Sequence, residues 1–70
     1  MEINYDKKAD AMYIGFRKGG FFKNKKVSDG IILDMDRKGN VLGIELLDVS
    51  KNLPGKALSE VHVKNLVIAV

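Results

Sequence analysis

A chain of 70 residues holds one small domain. Lys and Arg number 12 against 9 Asp and Glu, a net charge of +3, and 46% of residues are hydrophobic, which excludes a disordered, charge-dominated chain. The sequence has no cysteine, which excludes a disulfide framework, a zinc finger and thiol chemistry. The longest apolar run, Leu66 to Val70, is far shorter than a membrane span, so no membrane association is expected. Met1 to Asp6 carries neither a basic leader nor an apolar core, so no signal peptide is expected and the cytoplasm is the expected compartment. A domain this small buries only about 60% of the surface of its unfolded chain. A homo-oligomer or a small protein partner is therefore expected to add stability.

Short apolar segments separated by polar turns favour strands over helices. In Met1 to Tyr5, apolar Met1, Ile3 and Tyr5 alternate with Glu2 and Asn4, which predicts a strand. Asp6 to Asp10 reads as a turn in which Asp6 accepts backbone N–H bonds. Ala11 to Arg17 follows as a second strand, with Met12, Ile14 and Phe16 on one side, and completes a hairpin. Lys18-Gly19-Gly20 breaks it. Residues 18–30 form a longer connection, in which Phe21-Phe22-Lys23 could extend a neighbouring strand.

Ile31 to Met35 and Val41 to Leu47 form the next hairpin. Asp36 and Gly39 suit a type I turn closed by a left-handed glycine. The expected register sets Asp36 opposite Asn40, Met35 opposite Val41 and Ile32 opposite Ile44. In that register both sides are apolar, with Ile31, Leu33, Met35, Val41 and Leu47 on one and Ile32, Leu42, Ile44 and Leu46 on the other. A free antiparallel hairpin has one polar side, so a helix, the C-terminal segment or another subunit should cover the second. Asp48 or Ser50 could cap a short helical turn ended by Pro54 and Gly55. Val61 to Val70 is dense in β-branched residues and reads as a C-terminal strand, the competing reading being an amphipathic helix from Leu58. The expected fold is a mostly β domain over residues 1–70: an antiparallel sheet of two consecutive hairpins, a short helical turn and a C-terminal strand.

Two blocks carry a family resemblance. The first is Tyr5-Asp6-x-x-Ala9-Asp10-x-x-Tyr13-Ile14. The second is Gly30-Ile31-Ile32-Leu33-Asp34-Met35-Asp36-x-x-Gly39, running into Gly43-Ile44-Glu45-x-Leu47-Asp48-x-Ser50. Over about residues 3–53 the chain resembles the small prokaryotic family named domain of unknown function 2283. The resemblance implies a compact β-rich domain without established catalytic residues. Some members are encoded beside small toxin-like proteins, which suits an antitoxin-like partner role. Residues 18–26 and those after Pro54 lie outside the strong match.

Each candidate for chemistry meets a plainer reading. Asp34, Asp36, Gly39, Val41 and Glu45 stand at calcium-loop spacing, but Lys38 occupies a ligand position and the flanks are strands, so the segment reads as a hairpin turn. Asp6, Asp10, Asp34, Asp36, Glu45 and Asp48 could gather around a divalent ion, but they lie at strand ends, where Asp caps turns. His62, the single histidine, has no G-x-S-x-G partner among Ser28, Ser50 and Ser59. Lys18-Gly19-Gly20 lacks the rest of a phosphate loop. No enzyme activity, cofactor or metal is expected.

The one regional anomaly is residues 17–26. Arg17, Lys18, Lys23, Lys25 and Lys26 surround Phe21 and Phe22 without an acid. The remaining chain has seven bases against nine acids, a net of −2. Basic side chains neutralise phosphates and exposed aromatics stack on bases, so this segment is the candidate surface for weak nucleic-acid or partner binding. The plainer reading is a solvated loop whose lysines guard a sheet edge. The first expectation for function is a non-enzymatic interaction or oligomerisation module. The alternative is weak nucleic-acid binding through residues 17–26.

Overall fold

The computed structural model describes residues 1–64. Its centre is a five-stranded antiparallel sheet of β1 (Glu2–Asp6), β2 (Ala11–Gly15), β3 (Lys23–Ser28), β4 (Ile31–Met35) and β5 (Val41–Leu47). The spatial order is β1-β2-β5-β4-β3. Three consecutive hairpin-linked strands, β3 to β5, are thus joined to β2 by a long connection that returns β2 beside β5, a Greek-key arrangement. A four-residue helix, α1 (Val49–Asn52), and a 3-10 turn at Gly55–Leu58 follow the sheet.

The two expected hairpins form. β1 pairs β2 from Glu2–Gly15 to Asp6–Ala11. The turn into β5 is closed by Gly39 at φ 84, with the Asp36 N–H donating to the Asn40 carbonyl at 3.0 Å. Beyond it, the pairing departs from a simple ladder. Met35 faces Val41 as expected, but Asp34 then faces Gly43, Leu33 faces Ile44 and Ile32 faces Glu45. The expected pairing of Ile32 with Ile44 is therefore corrected by one residue. Leu42 is the extra residue of a β-bulge.

This bulge also overturns the two-sided apolar hairpin. Side chains of paired residues share a side of the sheet. With the register shifted at Leu42, Ile31, Leu33 and Met35 lie on the same side as Val41, Ile44 and Leu46. β2 and β1 add Ile14, Met12, Ile3 and Tyr5 to it. The opposite side carries Asp34, Gly43, Glu45, Tyr13, Asn4, Glu2 and Asp6, with Ile32, Ala11 and Leu47 as its apolar members. The sheet has one apolar and one largely polar face, the ordinary pattern for an antiparallel sheet.

The sequence suggests no more of β3 than a strand extension at Phe21 to Lys23. β3 is a complete edge strand, entered through the Phe22 N–H bond to the Met35 carbonyl at 2.9 Å. Its residues give no alternation to read, since Val27 is its one hydrophobic side chain. Residues 61–64 of the expected C-terminal strand carry no regular structure, and the rest of that segment lies outside the described residues.

The core is thin. Among the described residues the buried side chains are Leu42, 4% exposed, and Val49, 1% exposed. Leu42 packs beneath the connection after β2, where a Cβ on Gly19 would lie 2.9 Å from its Cδ2. Val49 anchors α1 near Ile31, Leu46 and Leu53 at the opposite end of the sheet.

Candidate interaction surfaces

The residues of the two sequence blocks meet at the Val49 end of the sheet. Asp10 sits in the left-handed region at φ 51, which Asp tolerates better than most residues. Its carbonyl accepts the Val49 N–H at 3.1 Å. Its carboxylate accepts the Ser50 N–H at 3.0 Å, the Ser50 hydroxyl at 2.7 Å and the Tyr5 hydroxyl at 3.0 Å. Asp10, from the turn between β1 and β2, thus satisfies the first free N–H groups of α1. The expectation that Asp48 or Ser50 would cap this turn is corrected. Asp48 adopts φ 52 and makes no side-chain cap bond. The Ser50 bonds hold the Asp10 carboxyl below its ordinary value of 3.8. The bond to Asp10 raises the Tyr5 hydroxyl above 10.0.

On the polar face, Tyr13 lies across the middle of β5. A Cβ at Gly43 would come within 2.3 Å of the Tyr13 hydroxyl oxygen and 2.7 Å of the Ile14 carbonyl oxygen. The glycine leaves room for both the ring and the neighbouring backbone. Beside it, partial burial and the charge of Asp34, which also accepts a hydrogen bond from the protonated acid, raise the Glu45 carboxyl above its ordinary 4.5. Partial burial and the charges of Asp34, Glu45 and Glu2 raise the Tyr13 hydroxyl.

Of the acids considered for an ion, Asp34 and Glu45 are neighbours and the others are held in separate turns. Asp6 accepts the Lys8 and Ala9 N–H groups of its own turn. Asp36 accepts from Lys38 N–H and from both nitrogens of Asn40, which holds its carboxyl low. Among the described residues no three His, Asp or Glu side chains come together to hold a metal ion. His62 contacts Glu60 at 3.2 Å.

The basic segment 17–26 is divided by the fold. Arg17 and Lys18 leave β2 and line an open hollow with Met1 and Glu2. Lys23 and Lys25 stand on β3 opposite Met35 and Leu33, on the apolar side, whereas Lys26 stands opposite Ile32 on the polar side. Lys26 also pairs with Asp29 at 3.0 Å. The Arg37 guanidinium lies 4.6 Å from the ring centre of Phe22, and both Phe22 and Phe21 are exposed. These residues form an edge and a crossing segment, not one compact loop.

A family model of proteins of unknown function covers residues 2–50. The chain belongs to the DUF2283 family. The matched span runs from the first strand to Ser50, so the Asp10–Ser50 tie and the Tyr13–Gly43 contact lie within the DUF2283 portion, and the 3-10 turn lies beyond it. No curated protein and no solved structure matches the chain.

Sequence reasoning missed the Asp10–Ser50 tie because its partners are 40 positions apart. The signal was present, since Tyr5, Asp10 and Ser50 all fall in the two blocks. Gly43 within a strand was the corresponding signal for Tyr13.

Proposed function

We propose that this domain is a non-enzymatic interaction module, in a prokaryotic cytoplasm, whose apolar sheet face is covered by a second copy of the chain. The observation that carries this reading is the state of that face. Met12, Ile14, Leu33, Ile44 and Leu46 are only half-buried, and Ile3, Tyr5 and Ile31 at its margins are exposed. Two such faces packed together make a sandwich with a shared core, and a two-fold arrangement closes without leaving either face open. The hydrogen bonds of three turn carboxylates support a structural role for them. Asp6, Asp10 and Asp36 are engaged in turns and a helix cap. No helix among the described residues is long and apolar enough to cross a membrane.

Sedimentation velocity over a concentration series tests the proposal. The expected result is a dimer that Ile14→Lys or Ile44→Lys converts to a folded monomer. A concentration-independent monomer for the parent chain rejects it.

A second reading, weak nucleic-acid binding, rests on Lys23 and Lys25 standing on the same side of an edge strand with exposed Phe21 at its entry. It predicts a mobility shift at low salt that is lost in a Lys23→Ala, Lys25→Ala variant. No shift at low salt removes it.

A further inference from the structure

Among the described residues the sheet has two edges, β1 and β3, and they are built differently. β3 carries the devices that block strand addition. It has three lysines in six residues, and its pairing with β4 is interrupted between Lys26 and Ser28, with Val27 55% exposed. β1 has none of these. Glu2 to Asp6 contains no lysine and no proline, and its register against β2 runs without a shift. All five of its residues are exposed.

The two sides of β1 differ in chemistry. Ile3 and Tyr5 lie on the apolar side, opposite Ile14 and Met12. Glu2, Asn4 and Asp6 lie on the polar side, opposite Gly15, Tyr13 and Ala11. Among the described residues the ion pairs are Lys26–Asp29 and Glu60–His62, so neither Glu2 nor Asp6 is paired with a base. A strand added beside β1 therefore meets Ile3 and Tyr5 on one side and, on the other, the Asn4 amide flanked by the carboxylates of Glu2 and Asp6.

We propose that the β1 edge is a strand-addition site for an extended segment of another protein in which apolar and basic residues alternate. Its backbone continues the ladder. Its apolar side chains lie beside Ile3 and Tyr5, and its basic side chains reach Glu2 and Asp6. The chain's own basic strand does not fit this description. In β3, Lys23 and Lys25 lie on the apolar side, so a copy that continued the sheet with its faces aligned would set lysines beside Ile3 and Tyr5. Pairing β1 with a second β1 would bring acidic edges together. Charge and side-chain parity thus both favour a foreign segment. This site shares Ile3 and Tyr5 with the margin of the apolar face but rests on the open backbone edge of β1, so a monomeric result in sedimentation leaves it standing.

The test uses the full chain, labelled with nitrogen-15, and two blocked heptapeptides of equal composition. One alternates valine and lysine; the other groups the lysines at one end. Titration with the alternating peptide should shift the amide signals of residues 2–6 and slow their hydrogen exchange. Glu2→Lys and Ile3→Lys should each weaken binding about tenfold or more, and Lys25→Glu should leave it unchanged. Equal binding of the grouped peptide, shifts centred on β3, or no shift at millimolar peptide would overturn the proposal. So would protection of residues 2–6 in the peptide-free protein that rises with its concentration, because a second copy then occupies the edge. If Ile3→Lys fails to fold, Glu2→Lys decides the outcome alone.

Discussion

Gly43 is the position where a single missing Cβ matters most. It lies mid-strand with an ordinary backbone, so its requirement is spatial. An added Cβ would meet the Tyr13 hydroxyl at 2.3 Å and the Ile14 carbonyl oxygen at 2.7 Å. The tyrosine could swing away, but the carbonyl belongs to the paired strand β2 and cannot move without opening the ladder. Gly43→Ala should therefore destabilise the fold by about 1–3 kcal/mol, the usual range for overpacking. Combining it with Tyr13→Ala should leave a substantial part of that loss, since the backbone contact persists. Urea denaturation of the four proteins in this cycle checks the claim. Full recovery in the double variant would assign the whole cost to the ring. The glycine was visible in the sequence as a strand anomaly, whereas its partner was not, because Tyr13 is 30 positions away and reaches it only through the β2–β5 pairing.

At the level of elements, the bulge at Leu42 decides how the sheet presents its residues. A hairpin ladder keeps strict alternation, and on that rule Val41 to Leu47 appears apolar on both sides. One extra residue resets the parity, gathers Val41, Ile44 and Leu46 on one face and leaves Glu45 and Gly43 on the other. Nothing local in the sequence marks the bulge except Gly43 beside it. The bulged Leu42 is also 4% exposed beneath Gly19, and its carbonyl accepts the Phe16 N–H at 2.8 Å. Leu42→Ala should cost about 2–4 kcal/mol. It should also increase amide exchange at Phe16, where the connection crosses the sheet. A loss well under 1 kcal/mol would mean that the segment collapses onto the space or that Leu42 contributes little packing. β1, β2, β4 and β5 were legible because apolar residues recur within them. β3 was not, because an edge strand with exposed residues throughout needs no apolar side. The Asp10 cap was hidden for a different reason: local rules place a cap next to its helix, and this one comes from another hairpin.

For the whole molecule, the net +3 conceals an uneven distribution, with acids on β1 and lysines on β3 at opposite edges of one sheet. The basic segment is legible in the sequence as a charge run, but neither the strand within it nor the acidic opposite edge can be seen without the strand order. The acids also shape how stability depends on pH. Hydrogen bonds from Ser50 and Asn40 depress Asp10 and Asp36 below 3.8. Their contribution is present above that value and is lost as pH falls through the folded values. Burial and Asp34 raise Glu45 above 4.5, so it has the opposite sign. Ionising it costs stability, and that cost fades as pH falls toward 4.5 and the carboxyl takes up a proton. On acidification from neutrality, the melting temperature should first hold or rise slightly and then fall below about pH 4, the ordinary range of Asp. Glu45→Gln should raise stability at pH 7 and remove the early rise, because the amide carries no charge and has an N–H to donate to Asp34. Asp10→Asn and Asp36→Asn should lower stability at pH 7 and flatten the acid limb. Thermal melts between pH 3 and 7 separate these contributions, and a Glu45→Gln protein less stable than the parent at pH 7 would reverse the sign assigned to the Asp34–Glu45 pair.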